Sequence, residues 1–278
     1  MATNLQNEVD VQDVEYQQLD GKPWLARVYR PKGPGPFPTM IDVHGGAWVR
    51  GDRTNNHGIC QALAERGVVV AALDFRQPPQ AAYPASLQDI NLAIRWLKAH
   101  ASDFNGSAKV GAWGNSSGGH LVALAGIRPR DARYAALPLA GHPEIDASLS
   151  YVIAGWPVID PLYRYQKVAL ANNIESFLSA HLAYWGTEEA MAEGSGTAAV
   201  SRDTQPDLPP MLLVLKEGDK NHPLAMQEQF VEAYRKRGGS IQVEMFQGLP
   251  EHGMDVTPDF PESVRAIGVF MDFIAAHA

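Results

Sequence analysis

A serine set between two glycines, Gly114-Asn115-Ser116-Ser117-Gly118, follows the apolar run Val110-Gly111-Ala112-Trp113 and precedes residues that read as a helix, Gly119-His120-Leu121. Serine in that setting can act as a nucleophile, because a sharp strand-to-helix turn lifts its Oγ clear of the sheet. Side chains flanking so tight a turn would collide with neighbouring backbone, and glycine removes the collision. The N–H groups that open the following helix favour negative charge developing beside the serine. An activated serine also needs a base, an acid that fixes the tautomer of the base, and donors for the oxyanion. The base candidate is His252, between a strand ending at Phe246 and the last helix, at the same C-terminal sheet edge as Ser116. His222 is its one rival. The acid candidate is Asp219, in the loop between the strand 211–215 and a helix starting near Pro223, with Glu217 as the alternative. Backbone N–H groups of Gly45, Gly46 and Ser117 are the candidate oxyanion donors, with His44 bracing the glycine turn. Trp48 and Trp156 are the candidate substrate-contacting side chains, core packing being the other reading of Trp48.

These residues need elements that bring them to one edge. Short β-type runs at 11–18 and 24–30, split by Asp20-Gly21, read as a hairpin. Thr39 to Val43 reads as a buried strand running into His44-Gly45-Gly46, and Val68 to Leu73 is a continuous apolar run of the kind covered on both faces. Ile59, Leu63 and Ala64 suit a helix over about 54–66 closed by Gly67, and Leu87, Ile90, Ile94 and Leu97 mark one face of a helix from about Pro84. Further strands are expected at 151–154, 211–215 and 241–246. Further helices carry Met226, Phe230 and Tyr234, then Phe260, Val264, Ile267, Phe270 and Ile274. Strands alternating with helices imply an α/β, mostly parallel, doubly wound sheet. The segment from about 162 to 204 breaks the alternation and is expected to be a small helical cap inserted in a single domain, 1–278. Its Gly194-x-Gly196-x-x-Ala199 resembles a dinucleotide fingerprint, but no strand precedes it.

Composition narrows the partners. The 278 residues carry a formal charge of −8 without a basic stripe, which argues against nucleic acid. Neither a His-Glu-x-x-His pattern nor clustered Cys/His ligands occur, so no metal and no cofactor is expected. Cys60 is the one cysteine, which rules out an intrachain disulfide; with no leader-like or membrane-spanning run, the expectation is a cytoplasmic chain.

The order of parts (glycine turn, Ser116 turn, Asp219 loop, His252 loop) resembles the α/β-hydrolase superfamily. The motifs His44-Gly45-Gly46, Asp74-Phe75-Arg76, Gly114 to Leu121, Asp219-x-x-x-Pro223 and Glu251-His252-Gly253 are similar to those of carboxylesterases related to hormone-sensitive lipase and to feruloyl and acetyl esterases. The resemblance implies a sheet of about eight strands and a metal-independent serine esterase acting on small to medium esters, with a small-molecule ester as partner and a homodimer left open. Two departures stand out. Ala47 replaces the third glycine of the usual His-Gly-Gly-Gly, and Asn115-Ser116-Ser117 replaces Asp-Ser-Ala. His-Gly-Gly-x-Trp is also similar to the arylformamidase group, so amide cleavage by the same residues is the alternative reaction. A non-catalytic binding protein on the same fold is the alternative of another class. Asp74 and Arg76 are read as an ion pair or loop anchors.

Overall fold

The apolar runs become the interior strands of one sheet. The computed structural model describes residues 6–19, 21–247 and 260–278. Among these, eight strands, β1 (Val9–Leu19), β2 (Lys22–Pro31), β3 (Phe37–Val43), β4 (Val69–Leu73), β5 (Gly106–Asn115), β6 (Val152–Gly155), β7 (Met211–Lys216) and β8 (Ile241–Phe246), join in the order β1-β2-β4-β3-β5-β6-β7-β8. The β1–β2 and β2–β4 pairs are antiparallel and the rest parallel. The two amino-terminal runs therefore pair as the hairpin expected, although Asp20 lies outside the described residues.

Helices cover both faces: α1 (His57–Ala64), α2 (Ala85–His100), α3 (Ser117–Ile127), α8 (Leu224–Lys236) and α9 (Pro261–His277). Side chains alternate across a strand, so Met40 and Trp113 pack on one side with Leu63 of α1 and Phe270 of α9. Ile41 and Ala112 pack on the other with Ile90 of α2, Leu121 of α3 and Phe230 of α8. Burial on both faces is why these strands read as unbroken apolar runs. Each large apolar side chain so enclosed stabilises the fold by about 1.5–3 kcal/mol.

The functional geometry comes from the strand order. β3 lies between β4 and β5, so successive connections leave its two sides in opposite directions and open a crevice at the C-terminal ends of β3 and β5. Val43 pairs with Gly114, which sets His44-Gly45 beside Asn115-Ser116.

Between β6 and β7 the chain forms α4 (Pro161–Arg164), a π-helical turn over Tyr165–Leu170, α5 (Glu175–Trp185), α6 (Glu188–Glu193) and α7 (Gly196–Arg202). Asp160 caps α4 by accepting the Tyr163 N–H at 2.9 Å, with Pro161 at the first helical position. The other carboxylate oxygen of Asp160 accepts Ser195 Oγ–H at 2.8 Å, and Ser195 in turn caps α7. One side chain thus ties both ends of the inserted stretch. Tyr184 and Trp185 of α5 form an aromatic cluster with Trp48.

Asp74 and Arg76 do anchor loops, but not by pairing with each other. Asp74 holds Arg53 at 2.7 Å, and Arg76 holds Asp89 at 2.8 Å. No helix among the described residues is long and apolar enough to cross a membrane.

Candidate active site

Ser116 sits at the turn between β5 and α3 with φ 52° and ψ −119°, a left-handed conformation that is strained for a residue with a side chain. The turn closes because Gly118 has none: a Cβ there would stand 2.0 Å from the Val43 carbonyl oxygen. Ser116 N–H donates to Gly155 O at 2.8 Å, and its carbonyl accepts the N–H groups of His120 and Val158, both at 3.1 Å. The strained residue is thus held from three sides.

Ser116 Oγ lies 3.1 Å from His222 Nε2, and His222 Nδ1 lies 2.8 Å from Asp219 Oδ2. With Nδ1–H donated to Asp219, Nε2 is left to accept the serine proton, the arrangement a general base needs. Burial lowers the imidazole pKa, opposed by the Asp219 hydrogen bond and assisted by the charges of Arg164 and Lys216, so the ring is neutral and ready to take a proton. For Asp219, burial pushes upward, but the His222 hydrogen bond and the N–H groups of Asn221 and His222 outweigh it and hold the carboxyl below its ordinary value. Acid and base ride on one loop, since Asp219 Oδ1 also accepts Asn221 N–H at 2.8 Å and His222 N–H at 3.1 Å.

The structure therefore brings Ser116 and Asp219 together through His222, the rival of the base chosen from the sequence. His252 lies outside the described residues. Sequence reasoning ranked His222 second because the position of His252 after a strand weighed more; the compact turn around Asp219 is what lets three residues of spacing suffice.

Of the donors, Ser117 N–H opens α3, and Gly46 N–H has no partner among the described residues. Gly46 has φ +117°, and a Cβ on it would lie 1.9 Å from Arg50 O, so only glycine fits this turn. Gly45 departs from expectation: its N–H donates to Asn115 Oδ1 at 3.1 Å. Asn115 Oδ1 also accepts Asn56 Nδ2–H at 3.1 Å, and Asn56 Nδ2 reaches Asp42 Oδ1 at 2.7 Å. At rest, two of the three expected donors are open. His44 braces the turn through Nδ1 and Gly45 O, 2.6 Å apart, and stacks on Phe75.

A cavity of about 370 Å³ opens on Ser116, bordered by Gly46, Trp156, Arg164, Phe177 and His222. That is the low end of small-molecule sites. Trp156 is on its wall as expected. Trp48 is not: positive φ at Ala47 (53°) and Trp48 (65°) turns the indole inward, where it is 1% exposed, stacks on Tyr184 and donates Nε1–H to His120 Nδ1 at 3.3 Å. Trp48 is a core residue. Arg164, which sequence reasoning passed over, and Phe177, an aromatic of the expected cap segment, take the wall instead. Among the described residues, no group of three or more His, Cys, Asp or Glu side chains could hold a metal ion.

The sheet order, the serine turn and the placement of the site where the connections change direction define the α/β-hydrolase fold. A family model of BD-FAE matches residues 27–233, a stretch that contains Gly45, Gly46, Ser116, Asp219 and His222. The chain belongs to the BD-FAE family. It is 30% identical over 229 residues to esterase LipC of Mycobacterium tuberculosis, covering 80% of this chain and 54% of LipC. It is 31% identical over 254 residues to the probable carboxylic ester hydrolase LipM of the same organism, covering 84% and 53%. The chain thus spans about half the length of these curated relatives. Esterase B from Lactobacillus rhamnosis shares the fold at a TM-score of 0.78 and 22% identity, with 98% of this chain and 87% of that one covered.

Proposed function

We propose that the chain is a serine carboxylesterase that hydrolyses small to medium carboxylic esters through an acyl-enzyme. The observation that carries this reading is the hydrogen-bonded run Ser116–His222–Asp219 at the mouth of the cavity. Ser116 Oγ attacks the ester carbonyl while His222 Nε2 takes its proton, and Asp219 stabilises the imidazolium that results. The N–H groups of Gly46 and Ser117 receive the oxyanion, and Gly45 N–H joins them when Asn115 yields it. His222 then protonates the departing alcohol and activates the water that releases the acid. The names of LipC and LipM support an ester rather than an amide as substrate.

A second reading of the base rests on chain position: His252 falls in the sequence between β8 and α9. In that arrangement His222 would only position Asp219. The single cysteine, buried on α1, supports a working place in the reducing cytoplasm.

Hydrolysis of p-nitrophenyl acetate, butyrate and octanoate by the parent chain and by Ser116→Ala tests the proposal. Turnover of the short esters should fall by a factor on the order of 10⁴–10⁶ in the variant. Cleavage of N-formyl aryl amides in preference to the esters would move the assignment to an amidase. Equal ester cleavage by both proteins would remove Ser116 as the nucleophile.

A further inference from the structure

One wall of the cavity beside Ser116 carries a charge that no described carboxylate neutralises by contact. Arg164 ends α4 with 1% of its surface exposed, and its guanidinium carbon lies 4.2 Å from the Phe177 ring centre and 5.5 Å from that of Trp48. Stacking of this kind covers the faces of the guanidinium and leaves its edges as donors. Among the described residues, Nε and Nη2 of Arg164 meet no hydrogen-bond acceptor. These two donors form one edge of the group, the fork that grips a carboxylate side-on, and both are covered at rest, so a ligand must part the wall over them to reach it.

The chain fills that fork elsewhere. Arg27 Nε and Nη2 hold the two oxygens of Asp13 at 2.8 and 3.0 Å. Arg128 holds Asp203 in the same way at 2.6 and 3.0 Å. Asp219 is near enough to favour the charge of Arg164 through space, but its oxygens are already given to His222 and Asn221. Arg50, at the cavity rim, acts in the opposite direction, and burial, the largest influence, brings the guanidinium down to about 9. An enclosed cation with an empty fork is a costly arrangement. It is retained at the wall of the cavity that holds the nucleophile.

We propose that Arg164 recognises an anionic group on the substrate, so that the esters this site takes carry a carboxylate a few atoms from the scissile carbonyl. The inference rests on the esterase reading for the reaction but not for the binding. A planar, singly charged carboxylate suits one enclosed fork. A dianionic phosphate would bring a second charge close to Asp219 with no second enclosed cation to meet it. The size of the cavity restricts the chain between carboxylate and ester, which points to hemiesters of short dicarboxylic acids.

The test compares monoethyl succinate with ethyl pentanoate, a neutral ester of similar length. Binding is measured by titration calorimetry on Ser116→Ala, so that turnover does not enter. The expected result is monoethyl succinate bound about 10- to 100-fold more tightly, the range for charge-assisted hydrogen bonds. Adding Arg164→Met should abolish the preference. Arg164→Lys keeps the charge without the fork; it should lose most of the preference too, and it covers a methionine variant that fails to fold. Equal binding of both esters, or a preference that survives Arg164→Met, overturns the proposal. Turnover of the same two esters by the chain with Ser116 intact judges the reaction separately. Hydrolysis of ethyl pentanoate with no anion preference in binding removes the anion site and leaves the esterase. An anion preference in binding with neither ester hydrolysed keeps the site and removes the esterase.

Discussion

Two groups of arginines in this molecule are treated in opposite ways. Beneath the β1–β2 hairpin, Arg53 bridges Asp13 and Asp74 at 2.8 and 2.7 Å. Next to it, Asp89 of α2, wholly enclosed, accepts Arg76 Nη2–H at 2.8 Å, the Arg76 backbone N–H at 2.8 Å and Gln17 Nε2–H at 3.1 Å. Each carboxylate there is gripped by donors, and Arg27 and Arg53 hold Asp13 far below the ordinary carboxylate range. Along the cavity beside Ser116, Arg164 is more deeply enclosed than any of these arginines and has a fork without acceptors among the described residues. Burial alone therefore does not separate scaffold from site. Whether the buried charge is closed by the chain's own groups does: the closed seam holds strands and loops in register, and the unmatched charge is the one we propose for a ligand.

That contrast can be attacked first at the reacting end. His222→Ala should cut kcat/KM on p-nitrophenyl butyrate by about 10³-fold or more, as loss of a base within a triad does, while His252→Ala should retain most of the activity. Steady-state kinetics on the two variants decide it, and the reverse outcome would hand the base to His252. On the closed side, Asp89→Ala strips the partner from Arg76 and leaves a largely buried cation. Loss of about 3–5 kcal/mol is expected, read as a fall in Tm of roughly 6–20 °C at about 2–4 °C per kcal/mol.

Acidity separates the two regions further. His120, on α3 behind the cavity, is pushed down to about 4 by burial, with the Gly194 carbonyl opposing and Arg128 and Arg164 assisting. Between about pH 6.5 and 4 the unfolded chain binds a proton at this residue that the folded chain refuses. Stability from this source is therefore present near neutrality and lost as pH falls through that window, by at most ~3 kcal/mol. Denaturant unfolding at pH 7 and pH 4.5 should show a shallower pH dependence for His120→Gln than for the parent. The smallest effect has the opposite sign from Asp89→Ala. Arg164→Met removes a buried charge that nothing closes and should raise Tm by a few degrees, on the order of 1 kcal/mol. A fall in Tm would mean that Arg164 is closed by the chain after all and belongs with the seam.

Much of the frame was legible in the sequence because it rests on local rules. Gly114-x-Ser116-x-Gly118 specifies a turn that only glycine allows, and the apolar run through β4 can only be a strand covered on both faces. The alternation of strands and helices then fixes the class of sheet. What escaped reading depends on contacts distant in the chain. Trp48 could be core or wall from sequence, and the outcome was set by two left-handed residues and by Tyr184, more than a hundred positions later. Asp74 and Arg76 look like natural partners two residues apart, yet both lie past the end of β4, and each found its partner elsewhere, Asp74 in Arg53 and Arg76 in Asp89 of α2. Arg164 gave no signal, since a lone arginine is by default a solvated one. Only the packing of Phe177 and Trp48 around it makes it unusual.

Asn115 carries a consequence for how this chain can change over evolutionary time. Its side-chain oxygen shares the Asn56 amide with Asp42, a carboxyl that burial pushes up to about 7 although Asn56 and Cys60 hydrogen-bond to it. The one-step exchange to aspartate, which would give the Asp-Ser spelling of lipase-like relatives, would set a second carboxylate against Asp42 with one amide between them, and two such groups cannot both ionise cheaply. A lineage moving toward that spelling must replace Asp42 first. The order of the substitutions is thus written into a three-residue hydrogen-bond chain behind Ser116.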